Sequence, residues 1–571
     1  MMQRKIRGRR LAGWGVAALL CGVVYAGEPV DLLLFNGKVV TVDSKFSIRS
    51  AVAVKDGRIV AVGGPELAKR YTPVSSIDLK GRMLMPGFID THLHLKGLSH
   101  RDIDPSRARS IKELQAMVAA KARELGPGEW VTGYGWDEAA LAEKRNPTRA
   151  DLDQAAPDNP VVLVRAGAHS AVGNSRAFSL AHITAATPNP EGGLIEHDAA
   201  GNPGGIIRER TYLLLDLVPP DTPAQMRPSY IQSLKSLLGL GITSFMEAFT
   251  AIDDEPPDQG GIKGPPSFHT WREFQSIYAE LGPELPRMTA YIAYPGAARL
   301  KAFPHHTGYG DDRLKLGPIG ENPYDGGFTG PTALTKEDYK GMPGFRGKAL
   351  MTPEQAQEMV HTAASLGWQL GIHAIGDAAI ETMTGIYDKE LAAHPRQDHR
   401  WFLAHLTMIP SVATMQTLAR DHVYAAVQPN FLYNLEGRYE QTLDGYRLQH
   451  INPVATPLHY GVQLAFGSDN LPIGPLVGLY AAITRKGSDG RVFGADEAVS
   501  RAEAIRLYTR DAAYLAWDEH KKGSIEPGKF ADLIVLDHDL LTVPASEILK
   551  TRVDLTIVGG KVVYRAPASQ L

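Results

Sequence analysis

The sequence predicts an α/β protein: a distorted, TIM-like (β/α)8 barrel, a composite β-sandwich domain built from both termini, and an inserted lid domain. Three observations carry this expectation. Short apolar runs alternate with helical stretches along most of the chain, the mark of βα units and a parallel sheet. Two segments near opposite ends resemble each other position by position. A long stretch separates the first barrel strand, ending near His94, from the next at Ile242.

Composition agrees with a globular fold. The 571 residues are 44% apolar and 22% charged, which excludes disordered, collagenous and coiled-coil classes. A net charge of -3, from 60 basic and 63 acidic residues, leaves no polybasic footprint, so nucleic acid is not an expected partner. The single cysteine, Cys21, excludes an internal disulfide and any Cys-ligated metal. A metal would have to be held by His and carboxylates.

Residues 1–26 read as a signal peptide. Arg4, Lys5, Arg7, Arg9 and Arg10 precede an apolar run, and Val24-Tyr25-Ala26 resembles a cleavage site. The run falls short of the ~20 residues that span a bilayer. Cleavage therefore removes Cys21, leaves no stable membrane anchor, and implies a periplasmic or secreted product. A lipoprotein or twin-arginine route stays open.

Residues 27–85 and 523–571 form the expected composite β-domain. The segments 31–40 and 554–563 both read strand, turn, strand, with Asn36-Gly37 and Gly559-Gly560 as two-residue hairpin signals. Residues 51–54 and 531–536 would add strands. The barrel is assigned to 86–98 and 225–522, with apolar runs at 85–89, 242–246, 288–292, 369–373, 401–405, 424–427 and 462–466. Thr352-Pro353-Glu354-Gln355 supplies an N-cap, a proline at the first helical position and a capping-box Gln. Ser500 and Glu503 repeat the box before a helix expected at 504–515. Residues 99–224 are too many for a loop. With a helix at 111–125 and strands at 130–134 and 161–165, they read as a lid over the barrel mouth.

Chemistry concentrates at the predicted strand ends. In Asp90-Thr91-His92-Leu93-His94 the two imidazoles share one face of a strand, because side chains alternate with period two. Such a pair suits a metal. His373, His405 and Asp469 each close a further apolar run, at the barrel end where active sites are built. Buried polar groups there need a partner, and a shared cation satisfies all five. His305, His306, His394, His422 and His538 lie in polar or proline-containing surroundings and read as surface residues.

Taken together and in order, these motifs resemble the amidohydrolase superfamily, and in detail its family 3, which includes N-substituted formamide deformylases. The resemblance covers nearly the whole chain after residue 26. It includes Gly523-Ser524-Ile525-Glu526-Pro527-Gly528-Lys529-Phe530-Ala531-Asp532, Gly133-Tyr134-Gly135-Trp136-Asp137, His169 with Asn174-Ser175, and Ile372-His373-Ala374-Ile375-Gly376-Asp377.

The resemblance implies one or two divalent ions, Zn²⁺ by expectation. His92 and His94 would ligate one and His373 and His405 the other, with Asp469 touching the first metal and serving as catalytic base. The family commonly bridges its metals with a carboxylated lysine, and here the sequence departs. Aligning Asp325-Gly326 and Thr332-Ala333 puts Glu321 at that position, which offers a carboxylate directly. Lys315, six residues earlier, and a one-metal site without a bridge remain alternatives. Tyr134, Trp136, His169 and Gln428 are candidates for binding a small-molecule substrate. The implied reaction is hydrolysis of a C–N bond in an amide, N-acyl or N-formyl amine. Ester or lactone hydrolysis on the same site, or a non-catalytic binding barrel, are the alternatives. A homodimer is compatible with this reading.

Overall fold

A computed structural model describes residues 27–571 apart from 96–98, 139–140, 166–169, 191–193, 209, 254–268, 329–330 and 470–471. The signal-like segment 1–26 and His169 therefore lie outside the described residues.

Eight parallel strands form a nearly closed barrel: β1 (Phe88–Leu93), β2 (Ile242–Ala251), β3 (Arg287–Ile292), β4 (Leu314–Gly320), β5 (Leu370–Ala374), β6 (Phe402–His405), β7 (Tyr424–Val427) and β8 (Leu464–Phe466). Hydrogen-bonded ladders join β1 to β2 and then each strand to the next through β8. At the last seam, β8 meets β1 through local bonds. Asp469 N–H donates to the His92 carbonyl at 2.6 Å, and Ser468 N–H donates to Asp90 Oδ1 at 3.0 Å. The strands read as continuous apolar runs because both faces are covered, as expected of a parallel sheet.

The hydrophobic pattern does not mark the fourth strand. Gly317-Pro318 interrupts Leu314–Gly320, and both residues ordinarily argue against a central strand. The run expected at 85–89 also divides. Met83–Pro86 pairs with Leu533–Leu536 in the terminal sheet, and β1 starts only at Phe88. The helix expected at 504–515 is likewise two helices, Arg501–Leu507 and Arg510–Leu515. At the break the Tyr508 carbonyl accepts the Ile89 N–H at 2.8 Å, so it serves β1 as well as closing the barrel base.

The termini build two sheets over one shared core. One sheet orders Arg58–Gly63, Ala51–Lys55, Glu28–Phe35 and Tyr71–Asp78. The other orders Lys561–Arg565, Val553–Val558, Leu533–Leu536, Met83–Pro86, Lys38–Val40 and Ile48–Arg49, so it mixes both ends of the chain. Leu34, Val52 and Ile59 pack there with Leu533, Val535 and Ile557. The C-terminal hairpin forms as expected, turning at Gly559-Gly560. The N-terminal one does not. Asn36, at φ 56, passes the chain from the first sheet to the second, so Glu28–Phe35 and Lys38–Val40 never pair with each other.

Between β1 and β2 a six-stranded sheet runs from Asp102–Ile103 to Pro203–Arg208, with helix Ile111–Leu125 packed against it. Ser110 caps that helix by accepting the Glu113 N–H. No helix among the described residues is long and apolar enough to cross a membrane.

Candidate metal centre

Six of the expected residues meet at the C-terminal ends of the barrel strands. His92 and His94 come from the end of β1, Glu321 follows β4, His373 lies on β5, His405 ends β6 and Asp469 follows β8. Glu321 stands at the centre. Its Oε1 lies 3.1 Å from His373 Nδ1, 3.4 Å from His405 Nε2 and 3.9 Å from His94 Nε2, and its Oε2 lies 3.7 Å from His92 Nε2. Asp469 Oδ1 is 3.6 Å from His94 Nε2. Three triads have ligand atoms within 4.8 Å of one another: His92, His94 and Glu321; Glu321, His373 and His405; and His92, His405 and Asp469. Glu321 belongs to two of them, which suits a carboxylate shared between two ions.

The backbone at these positions is unusual. Glu321, His405 and Asp469 have φ of 52, 80 and 59, in the left-handed region that non-glycine residues seldom occupy. Each turns sharply at its strand end and aims its side chain into the mouth.

Electrostatics follow from burial and proximity. Burial alone would raise the Glu321 carboxyl, yet the surrounding His92, His373 and His405 hold it well below the usual range. Burial keeps the His92 imidazole well below its ordinary value. For His373 burial acts downward too, but the Glu321 and Asp325 carboxylates prevail and lift it to about 9. Among the described residues, His92 Nε2 and Glu321 Oε2 are buried without a hydrogen-bond partner. Such orphaned groups are costly unless a ligand satisfies them. An orphaned imidazole nitrogen, an orphaned carboxylate oxygen and a set of nitrogen and oxygen donors fit a divalent ion of the zinc type.

Lys315 does not compete for the bridge. It sits at the start of β4, where its ammonium donates to the Ala516 carbonyl and pairs with Asp518 at 2.7 Å, and burial pulls it down to about 8.

The expected substrate contacts are redistributed. Gln428 is buried, and its Oε1 lies 2.8 Å from His405 Nδ1 while its Nε2 donates to the Ala426 carbonyl. From this buried position it orients a metal-type ligand. Trp136 is fully buried in the apolar core of the inserted sheet with Leu114 and Leu163, so it packs there instead of lining a pocket. Tyr134 is 59% exposed on the same strand. Among the described residues that line the cavity beside the histidines, neither is present. That cavity, of about 300 Å³, is bounded by Glu321, His373, His405 and Asp469 on one side and by Phe328, Leu350, Ile375 and Phe431 among its apolar walls. Asn174 serves the inserted sheet, capping a helix and bonding Ala156 and Asn159 carbonyls.

Three buried acids around the site are not among the ligands that the sequence motifs imply. Asp325 accepts N–H groups from Leu334, Ile375 and Gly376 and lies 3.9 Å from His373 Nε2. Asp90 accepts from His92 and Ser468 N–H groups, and burial raises it to about 7. Glu247, within β2, is raised by burial while the neighbouring His94 opposes the shift. A signal for Glu247 was present: Phe245-Met246-Glu247 is an apolar run meeting an acid, like those ending in His405 and Asp469.

The family model for the amidohydrolase family matches residues 76–564. The chain belongs to that family. This amidohydrolase is 28% identical to the N-substituted formamide deformylase of Arthrobacter pascens over 94% of its own length and 99% of that protein. It is 27% identical to Protein LONG AFTER FAR-RED 3 of Arabidopsis thaliana, over 94% and 92% of the two chains. Among solved structures it is similar to a metal-dependent hydrolase from Pyrococcus furiosus, with a TM-score of 0.68 and 25% identity, covering 90% of this chain and all of that one. The amidohydrolase is thus a metal-dependent hydrolase by family and by fold.

Proposed function

We propose that this hydrolase cleaves a carbon–nitrogen bond in a small amide, N-acyl amine or N-formyl amine. One or two divalent ions, zinc in the first instance, would be held by His92, His94, Glu321, His373, His405 and Asp469. The observation that carries the proposal is the Glu321 carboxylate standing between two histidine pairs, with Asp469 beside His94. The similarity to an N-substituted formamide deformylase along nearly its whole length supports the choice of bond.

A divalent ion in such a site supplies Lewis acidity, polarising a carbonyl and lowering the pKa of water from 15.7 toward about 7. The chain's own residues do the rest. Asp469 takes a proton from the attacking water and returns it to the leaving nitrogen, a base that becomes an acid. Its N–H bond to the His92 carbonyl holds it at the seam of the barrel. Phe328, Leu350, Ile375 and Phe431 supply apolar walls beside the reacting groups, against which the apolar part of a small substrate would pack.

The test is a panel of N-formyl amines, N-acyl amines and esters against the zinc-loaded full chain. Amine release is expected, abolished by chelation and restored by zinc. Asp469→Asn keeps the left-handed backbone, which Asn tolerates. It should lower turnover by about 10²- to 10⁴-fold with metal retained. Near-normal turnover would remove Asp469 from proton transfer, and cleavage of esters alone would move the enzyme to the ester or lactone class. Export rests on residues 1–26 as sequence, and a mature N-terminus at Gly27 is the expected result of sequencing the secreted or periplasmic protein.

A further inference from the structure

The outer wall of the barrel carries another cluster of ligand-type side chains. Helices α1 (Pro353–Ser365) and α2 (Asp377–Ala393) flank β5 in sequence. His361 lies on α1, Glu390 in the last turn of α2, and His394 at the C-cap of α2. The two imidazoles converge on one oxygen: His361 Nδ1 is 3.1 Å and His394 Nδ1 3.0 Å from Glu390 Oε1. All three ligand atoms lie within 4.8 Å of one another. Gln357 Nε2 donates to the second carboxylate oxygen at 3.3 Å and so holds the plane of the group.

The charge balance here is incomplete. Glu390 is only 4% exposed. It also sits at the negative end of the α2 macrodipole, where a carboxylate is disfavoured. A buried carboxylate needs a cation or full hydrogen bonding. Among the described residues, its ion-pair partners are these two imidazoles and no Lys or Arg. Both imidazoles are 54% exposed, so the open side of the cluster faces solvent.

We infer that His361, Glu390 and His394 form a surface site for a divalent transition metal of the zinc type, separate from the centre at the barrel mouth. Two imidazoles and one carboxylate are a zinc ligand set that leaves a position for water. Donor atoms at about 2.0–2.2 Å from a tetrahedral ion stand about 3.3–3.5 Å apart. The two nitrogen–oxygen spacings need open by only a few tenths of an ångström, and the two nitrogens already lie within 4.8 Å of each other. Bound there, the ion clips α1 to the end of α2, on either side of the strand that carries His373. Its role is to brace that strand's flanking helices, independently of which bond the enzyme cleaves.

Equilibrium dialysis of the full chain against zinc tests this, with a His361→Gln/His394→Gln double variant alongside. Both histidines are half exposed, so the variant should fold. Wild type is expected to hold one zinc ion more per chain than the variant, and to show a zinc-dependent rise in melting temperature that the variant lacks, with equal hydrolytic rates. Each single His→Gln change should weaken that extra ion by about tenfold or more. Equal zinc content across the whole titration would overturn the proposal and leave the cluster as a hydrogen-bonded helix clasp. A Glu390→Gln variant that still takes up the extra ion would overturn it too.

Discussion

At the scale of single residues, the site is built by strained backbone and by side chains that hold other side chains. Left-handed conformations at non-glycine positions cost of order 1–3 kcal/mol each. Glu321, His405 and Asp469 all adopt them, and all present a ligand-type atom to the same mouth. His405 shows how such a ligand is aimed. Gln428 Oε1 accepts from its Nδ1, which fixes the tautomer and leaves Nε2 to face Glu321 at 3.4 Å. The hydrogen bond that Gln428 Nε2 donates to the Ala426 carbonyl sets the direction of that oxygen. Replacing Gln428 by Leu is expected to cost about 10- to 100-fold in metal affinity or activity. Metal titration together with kcat/KM would read it. Glu at 428 keeps the acceptor and should recover much of the loss, which a purely packing role for the side chain would not produce.

At the scale of elements, the strand ends decide what could be read in advance. His373, His405 and Asp469 terminate apolar runs, so their positions in a barrel were legible from hydrophobic pattern alone. β4 was not, because Gly317-Pro318 breaks its pattern, yet Glu321 just beyond it is the centre of the site. Only the family resemblance, aligned on Asp325-Gly326 and Thr332-Ala333, points there. Asn36-Gly37 carries a hairpin signal without forming a hairpin, because local chemistry fixes the turn but not the sheet that each arm joins. The burial of Trp136 and Gln428 has no signature in the short motifs that carry them. The seam between β8 and β1 is another tertiary feature hidden in one residue. A Cβ on Gly467 would lie 2.7 Å from the His92 backbone nitrogen and 3.0 Å from its Cβ. Gly467→Ala must therefore push β8 away from β1, with Asp469 and His92 on either side of the gap. Overpacking of this kind costs about 1–3 kcal/mol. Urea denaturation should show that loss, accompanied by weaker metal retention. A variant with wild-type stability and metal content would mean that the seam yields without moving the site.

At the scale of the whole molecule, the barrel base is tied to the terminal sandwich by buried charge. Arg287 on β3 pairs with Asp532 at 2.6 and 3.1 Å, just before the strand Leu533–Leu536 of the terminal sheet. Asp518 binds two ammonium groups, Lys315 of β4 at 2.7 Å and Lys522 at 2.8 Å, and Lys522 also donates to Ser244 of β2. One carboxylate thus links two barrel strands to the segment that leads into the sandwich. Burial raises an isolated acid, but Lys522 and Lys315 reverse the effect and hold Asp518 below its ordinary value. The sign of the pH dependence follows. The unfolded chain takes up the proton first, near the ordinary carboxylate pKa of about 3.9. The stabilisation from Asp518 is therefore fully present above that pH and is lost as pH falls through the lower folded value. Asp518→Asn leaves two buried ammonium groups without their anion, a change that costs about 3–5 kcal/mol. Thermal melts should show the variant far less stable than wild type at pH 7. As the pH drops below about 4 the gap should begin to narrow, because the unfolded wild-type chain then takes up a proton that its folded state still resists, a gain the variant lacks. A constant gap between them from pH 7 to pH 3 would mean that packing at 518, and not its charge, holds the barrel to the sandwich.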